Sequence, residues 1–109
     1  MATIDLQKLG KLQGEELLST LEQEAIRCGI SDIHINPQKA GVKIEWRELG
    51  LLSTLLTIPH ATFETLQRRI KFKAKLKLNL ETIAQDGQYT FPTAGRLVNV
   101  RVASLPSRF

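Results

Sequence analysis

Apolar residues along the chain recur at two spacings, and each spacing predicts a different kind of element. Between Gly14 and Cys28 they lie three and four positions apart, which gives one apolar stripe on a helix. The stripe consists of Leu17, Leu18, Leu21, Ala25 and Cys28. Acidic residues near the start, an arginine near the end and Gly29 as the stop favour the same helix.

After Gly29 the pattern changes to an alternation of polar and apolar residues, which predicts strands. Residues 30–37 alternate and end at a proline, and residues 42–47 place Val42, Ile44 and Trp46 on one face. Residues 51–58 form a third short apolar run. Glycine-containing segments between these runs predict short turns, and strands joined by short turns pair in the antiparallel direction.

Two patterns compete between residues 59 and 80. Phe63, Leu66 and Ile70 have helical spacing, whereas lysines alternate strictly with apolar residues from Arg69 onward, as in a strand. Lysine and alanine favour helices, so we predict a helix over about residues 60–75. The remaining pattern predicts a turn at residues 85–87, a strand at residues 88–93, a turn at Ala94-Gly95 and a strand at residues 97–102.

Together these patterns predict an α+β domain: a small antiparallel sheet of about five strands with two main flanking helices. A chain of 109 residues fits one domain, which we place at residues 14–109 after a weakly patterned, flexible lead-in at residues 1–13. No apolar run reaches the roughly 18 residues of a membrane span. The first ten residues also lack the basic and apolar regions of a secretory signal.

Charge is unevenly distributed along the chain, whose net charge is +4. Residues 1–50 carry six basic and eight acidic side chains, whereas residues 51–109 carry nine and three. Six of the ten residues from Arg68 to Lys77 are basic, so this run could bind the phosphates of nucleic acid or an anionic membrane surface. Only Phe72 offers a ring for base stacking in the run, which argues against nucleic acid.

No pattern supports catalysis by this chain alone. The phosphate-binding motif G-x-x-x-x-G-K-S/T does not occur in the 109 residues. Ser31, Asp32 and His34 are close in sequence, but on a strand Ser31 faces away from the other two, so they do not predict a nucleophilic triad. Cys28, His34 and His60 lack metal-ligand spacing, so we expect no metal, and Cys28 is expected to be a small buried residue.

Several short motifs, in register, resemble one protein family. Residues 31–37, Ser-Asp-Ile-His-Ile-Asn-Pro, resemble the SDIHIEP signature of the ATPases that drive type II secretion, type IV pilus assembly and DNA uptake. Further resemblances are residues 47–52 to R-I-D-G-x-L, residues 69–76 to RIK-x-x-AKLDIAE, residues 85–88 to PQDGR, and residues 95–106 to GR-x-V-D-x-RVSTLP. The resemblance covers about residues 15–109. In the family this region is the PAS-like domain that precedes the ATPase core.

The resemblance implies a homo-hexamer in which this domain packs on the ATPase core of the same or an adjacent subunit and supplies arginines to bound ATP. Arg47, Arg69, Arg96 and Arg101 match family arginines by position, and the last two are favoured because they lie on the final predicted strand. A guanidinium suits phosphate oxygens in geometry and charge. Five positions separate Arg96 from Arg101, so both reach one nucleotide only if Arg96 lies in the turn.

The family likeness also implies the cofactors, partners and location. ATP and Mg²⁺ would belong to the parent ATPase, and this chain would hold no cofactor itself. The partners would be the ATPase core and the inner-membrane secretion or pilus machinery, at a cytoplasmic location peripheral to the inner membrane; nucleic acid is not expected. The sequence is either a piece of such an ATPase or a free-standing relative, and an independent enzyme is the reading with the least support.

The chain departs from the family pattern at four places. Gln88 and Thr82 occupy positions at which the family has arginine, and Leu49 occupies that of the aspartate in R-I-D-G. The LDIAE stretch is Leu-Lys-Leu-Asn-Leu at residues 76–80. Because two positive charges near the expected phosphate site are missing, we expect a weaker contact with nucleotide.

Overall fold

A computed structural model describes residues 6–78 and 83–106 of the chain. Its elements, in order, are α1 (Leu6–Leu9), α2 (Gly14–Cys28), β1 (Ile30–Gln38), β2 (Gly41–Glu48), β3 (Leu51–Ile58), α3 (His60–Lys73), β4 (Gln85–Thr93) and β5 (Arg96–Ser104). The strands are antiparallel throughout, which confirms the predicted α+β class. They form two sheets, β1-β2-β3 and the hairpin β4-β5, instead of one.

Helix α2 forms where the apolar stripe predicts it. Leu17, Leu18 and Leu21 on that stripe are at most 5% exposed. The helix ends at Gly29, whose φ of 70° lets its N–H reach the carbonyls of Ala25 and Ile26. Since residues with a Cβ adopt this left-handed conformation at a cost, glycine is suited to the position.

The core lies between the three-stranded sheet and the helices. Val42 and Ile44 are fully buried on one face of β2, where the leucines of α2 pack against them, and Trp46 on that face is 6% exposed. Leu9 of α1 is also 1% exposed and joins this cluster. Burial of Leu9 thus places α1 on the core; the predicted lead-in at residues 1–13 also includes residues 1–5, which lie outside the described part of the chain.

Residues 60–73 form helix α3, so the helical spacing in this segment predicted the structure and the strand-like alternation did not. Leu66 is fully buried on the face that packs against α2, as helical spacing requires. The alternation of basic and apolar residues from Arg69 onward does not match which side chains are buried, because Lys71 is 3% exposed whereas Phe72 is 63% exposed. Among the described residues, no helix has the length and apolar character needed to cross a membrane.

Strand β4 begins at Gln85, so the predicted turn at residues 85–87 is wrong. The glycine that suggested a turn is instead a point of close approach to the end of α3. A Cβ built on Gly87 would lie 2.6 Å from the Ala74 carbonyl oxygen and 2.9 Å from a methyl carbon of Leu76. The Gln85 side chain also bonds both backbone groups of Lys77, at 2.8 and 3.0 Å. Glycine here permits contact between a strand and a neighbouring backbone.

Gly87→Ala is expected to destabilise the domain by about 1–3 kcal/mol, because the added methyl group must displace backbone. Gly10→Ala is the matched control, since the atoms nearest to its added Cβ would lie at ordinary contact distances of 3.4–3.9 Å. Urea unfolding of both variants measures the difference. Equal unfolding midpoints for the two variants would contradict the close approach.

Candidate functional site

The β4-β5 hairpin has two faces of opposite character. On the inner face, Phe91 is 6% exposed, and Tyr89, Val98, Val100 and Val102 are half-buried. The outer face is exposed along its whole length; its residues are Asp86, Gln88, Thr90, Pro92, Leu97, Asn99, Arg101 and Ala103. The hairpin is thus fixed to the domain by one face and presents the other to its surroundings.

A buried carboxylate holds the inner face to both long helices. Glu22 of α2, which is 7% exposed, accepts a hydrogen bond from the Tyr89 hydroxyl at 2.5 Å. It also pairs with Lys73 of α3 at 3.1 Å, and Lys73 Nζ lies 4.6 Å from the centre of the Tyr89 ring. Because every partner of this carboxylate comes from another element, Glu22, Lys73 and Tyr89 (the anchor cluster) tie the hairpin to α2 and α3.

The anchor cluster also controls the ionisation of its phenol. Burial raises the pKa of Tyr89 far above its ordinary value, and the hydrogen bond to the Glu22 carboxylate raises it further. Both effects disfavour a phenolate beside an existing negative charge. Tyr89 therefore acts as a hydrogen-bond donor throughout the ordinary pH range.

Sequence reasoning did not single out the anchor cluster, although a signal for Glu22 was present. Glu22 lies four residues after Leu18 and three before Ala25, on the apolar stripe itself. A carboxylate on a buried stripe requires partners. The sequence alone did not identify them, since Lys73 and Tyr89 are 51 and 67 residues away.

Arg101 lies on the outer face of the hairpin, directly opposite Gln88 in the strand register. It is exposed, and it forms no ion pair within the described residues; Asp86, the one carboxylate on this face, is not bonded to it. Gln88 is the position at which the PQDGR motif has arginine. The family pattern would thus place two guanidinium groups side by side here, where this chain has one. The other missing arginine, at Thr82, falls outside the described residues.

Arg96 is the first residue of β5 and pairs with Thr93, so it belongs to the strand and not to the turn. Like Arg101 it is exposed, and no hydrogen bond or ion pair involves its side chain in the described part of the chain. Alternation along the strand directs the two side chains to opposite faces. A single ligand on the outer face would therefore contact Arg101 and not Arg96.

The other two candidate arginines are engaged within the domain. Arg47 of β2 lies 3.7 Å from Asp32 of the SDIH-like segment and donates to the Gly50 carbonyl at 3.1 Å. Arg69 of α3 pairs with Glu15 of α2 and lies over the ring of Phe72. The four candidates thus lie on β2, α3 and β5, and within the described residues the two on β5 have no carboxylate partner.

The basic run from Arg68 to Lys77 does not form one exposed basic surface. Three of its six basic residues, Arg69, Lys71 and Lys73, are paired or buried within the domain. The remaining three, Arg68, Lys75 and Lys77, are exposed. The interpretation as a binding surface for nucleic acid or membrane thus loses half of the charges on which it relied.

The remaining candidates do not converge on a site. In the described part of the chain, no group of three or more His, Cys, Asp or Glu residues could hold a metal ion. Cys28 is half-buried, and burial raises the pKa of its thiol, which disfavours the reactive thiolate. Ser31 donates to Asp32 at 2.8 Å beside a bulge in β1, while His34 is exposed.

Comparison with known proteins identifies the class of protein to which this fold and these motifs belong. Residues 7–109 match the family described as type II/IV secretion system protein. The chain belongs to this family.

Individual relatives give the same result. The chain is 35% identical to type II secretion system ATPase E of Vibrio cholerae over 92 residues. This match covers 84% of the chain and 18% of the relative. The chain is also 34% identical over 93 residues to type II secretion system protein E of Pectobacterium carotovorum, a match that covers 85% of the chain and 19% of the relative. An Escherichia coli protein transport protein HofB homolog is 36% identical over 93 residues, with coverages of 85% and 20%. The chain thus spans about a fifth of the length of these relatives.

We expect the Tyr89 phenol to stay protonated at pH values near 10, where free tyrosine ionises. Tyr89 is the only tyrosine, so alkaline absorbance titration reports it directly. Since the pKa in the folded state is raised, the stability it contributes is complete below about pH 10 and declines as the pH rises above that value.

The matched variant is Glu22→Gln, which removes the negative charge. It is expected to lower the pKa of Tyr89 while leaving it above the ordinary value, because burial is the larger cause. Phenolate absorbance near pH 10 in a fully folded wild-type chain would show that the anchor cluster is not formed.

Proposed function

We propose that this chain is the pre-core domain of a secretion or pilus ATPase, and that it packs on a neighbouring ATPase core and supplies an arginine to the ATP bound there. Membership of the type II/IV secretion system family supports the general role. The finer part, contact with nucleotide, rests on the placement of Arg101. The proposed assembly is a homo-hexamer at the cytoplasmic side of the inner membrane, in contact with the secretion or pilus machinery.

The four candidate arginines differ in whether a carboxylate of the described chain compensates their charge, and this difference supports the proposal. Arg47 and Arg69 have carboxylate partners inside the domain, so their charge is already compensated. Arg101 has none among the described residues, and its outer face is exposed along both strands. An arginine held on a strand, without an internal partner, on a face free to meet another domain, is suited to an external anion.

The residues present on the outer face fit the phosphates of ATP. Arg101 offers the planar paired donors that phosphate oxygens accept, and the Gln88 amide opposite can donate a further hydrogen bond. Arg96, on the other side of the strand, would meet a separate part of the interface. ATP with Mg²⁺, bound by the core, would supply the phosphoanhydride to be cleaved; this domain would contribute only charge and hydrogen bonds from outside.

Arg101→Ala is expected to lower ATP hydrolysis by at least about tenfold, because an arginine at a transferred phosphate contributes about 10³–10⁵ in rate in other systems. The chain is placed in the Vibrio cholerae relative in exchange for the matching segment, and turnover is measured with purified protein. Arg101→Lys, which keeps the charge but loses the paired donors, is expected to recover only part of the rate.

Arg68→Ala is the matched control, because Arg68 is exposed on α3 and lies outside the hairpin. It is expected to leave turnover unchanged. The proposal would be wrong if Arg101→Ala hydrolysed ATP at the wild-type rate, or if Arg68→Ala lowered turnover to the same degree.

A further inference from the structure

Strand β5 carries Arg101, but its own side chains make no directed bond to the rest of the domain. Within the described residues, no side chain of β5 forms a hydrogen bond or an ion pair. Its inward side chains are Val98, Val100 and Val102, which are half-buried. Apolar packing is non-directional, so these valines hold the strand against the domain without fixing its placement along the surface. Among the described strands β5 pairs only with β4, and its placement therefore follows from that of β4.

Strand β4, by contrast, is attached to the helices by hydrogen bonds at three inward side chains. Gln85 bonds to the backbone just beyond α3 at 2.8 and 3.0 Å. The Tyr89 hydroxyl donates to the buried carboxylate of the anchor cluster at 2.5 Å, and the Thr93 hydroxyl donates to the Gln23 side chain of α2 at 2.6 Å. Of these acceptors only that of Tyr89 is charged, and charge-assisted hydrogen bonds are the stronger ones. Tyr89 therefore makes the firmest of the three attachments.

The attachment at Tyr89 is also the one nearest to Arg101. In the strand register Tyr89 pairs with Val100, the residue immediately before Arg101. Paired Cα atoms of antiparallel strands lie about 4.5–5.5 Å apart, so the backbone that carries the phenol adjoins the backbone that carries the guanidinium. The attachments at Gln85 and Thr93 lie opposite positions three and five residues from Arg101. A shift of Tyr89 would thus be passed to Arg101 most directly.

We propose that Tyr89 is a positioning residue for Arg101. The hydrogen bond from its hydroxyl to Glu22 holds β4 in place, and the pair of Tyr89 with Val100 then sets where the guanidinium meets the phosphates of ATP. This inference rests on the nucleotide contact proposed for Arg101. Because a displacement of about 1 Å can cost about 100-fold in rate at a reacting centre, a loosened β4 would lower turnover even with Arg101 present.

The Tyr89 hydroxyl would contribute to stability whether or not it positions Arg101, and the two roles differ in what they predict. A loss of stability reduces the amount of folded protein, so it lowers turnover by the same factor whichever residue occupies position 101. A loss of positioning lowers turnover only while an arginine is there to be misplaced. A double-mutant cycle between positions 89 and 101 therefore separates the two roles.

The test again places the chain in the Vibrio cholerae relative in exchange for the matching segment, and kcat and KM for ATP are measured for Tyr89→Phe, Arg101→Ala and the double variant. Tyr89→Phe keeps the ring and removes only the hydroxyl. It is expected to lower kcat about fivefold with KM nearly unchanged, because Arg101 would act on the transferred phosphate. In the Arg101→Ala background the same change is expected to lower kcat by less than about twofold.

Thr93→Val is the matched control, because it removes a hydroxyl that bonds α2 from the same strand and the same side, at the end of the hairpin away from Arg101. It is expected to leave kcat unchanged. Circular dichroism checks that each variant is folded. Because partial unfolding would lower turnover equally in both backgrounds, the comparison stays decisive for a variant of reduced stability.

The inference is overturned if Tyr89→Phe lowers kcat by the same factor in both backgrounds, or if it leaves kcat unchanged while Arg101→Ala lowers it. It is also overturned if Thr93→Val lowers kcat as much as Tyr89→Phe does. Wild-type turnover in Arg101→Ala alone would be a different result: it would remove the proposed nucleotide contact, and this inference with it.

Discussion

The carboxylate of Glu22 lies almost fully buried where two helices and a hairpin meet, and it receives bonds from both of the other elements. Removing one partner of such a buried group typically costs about 3–5 kcal/mol, since the remaining charge stays desolvated. In the described part of the chain the hairpin shares no strand pairing with the three-stranded sheet. Its position therefore depends on side-chain contacts, and those of Glu22 are the most buried polar ones among them.

Two properties of the surface follow from that attachment. Because Tyr89 and Phe91 are held against the helices, the opposite face of the hairpin is directed outward with Arg101 on it. Because the hairpin is held at its inner face, the edge of β5 away from β4 pairs with no other described strand, and a cleft separates it from β1.

Local patterns in the sequence were sufficient for most of the elements. The stripe from Leu17 to Ala25 predicted α2, and the alternation of Val42, Ile44 and Trp46 predicted the buried face of β2. The predicted turn at residues 85–87 failed because Gly87 is required by contact with Ala74, a neighbour in space that no local pattern reveals. Spacing alone likewise gave no indication that Leu9 would reach the core.

For the candidate site, the motifs located the arginines but not their surroundings. The sequence favoured Arg96 and Arg101 by their place on the final strand, but only the fold shows that, among the described residues, Arg47 and Arg69 have carboxylate partners and the other two have none. Those partners, Asp32 and Glu15, come from other elements. The same limit explains Lys71, which the sequence places in a basic run and the fold places in a cleft.

Hydrogen–deuterium exchange in Glu22→Leu measures most directly whether Glu22 holds the hairpin. Glu24→Leu on the same helix is the matched control, since Glu24 pairs only with nearby Arg27 in the described chain. If the anchor cluster fixes the hairpin, amides of β4 and β5 should exchange about tenfold or more faster in Glu22→Leu, while those of β1–β3 keep their wild-type rates. Unchanged exchange in the hairpin, or an equal increase in both sheets, would contradict the account.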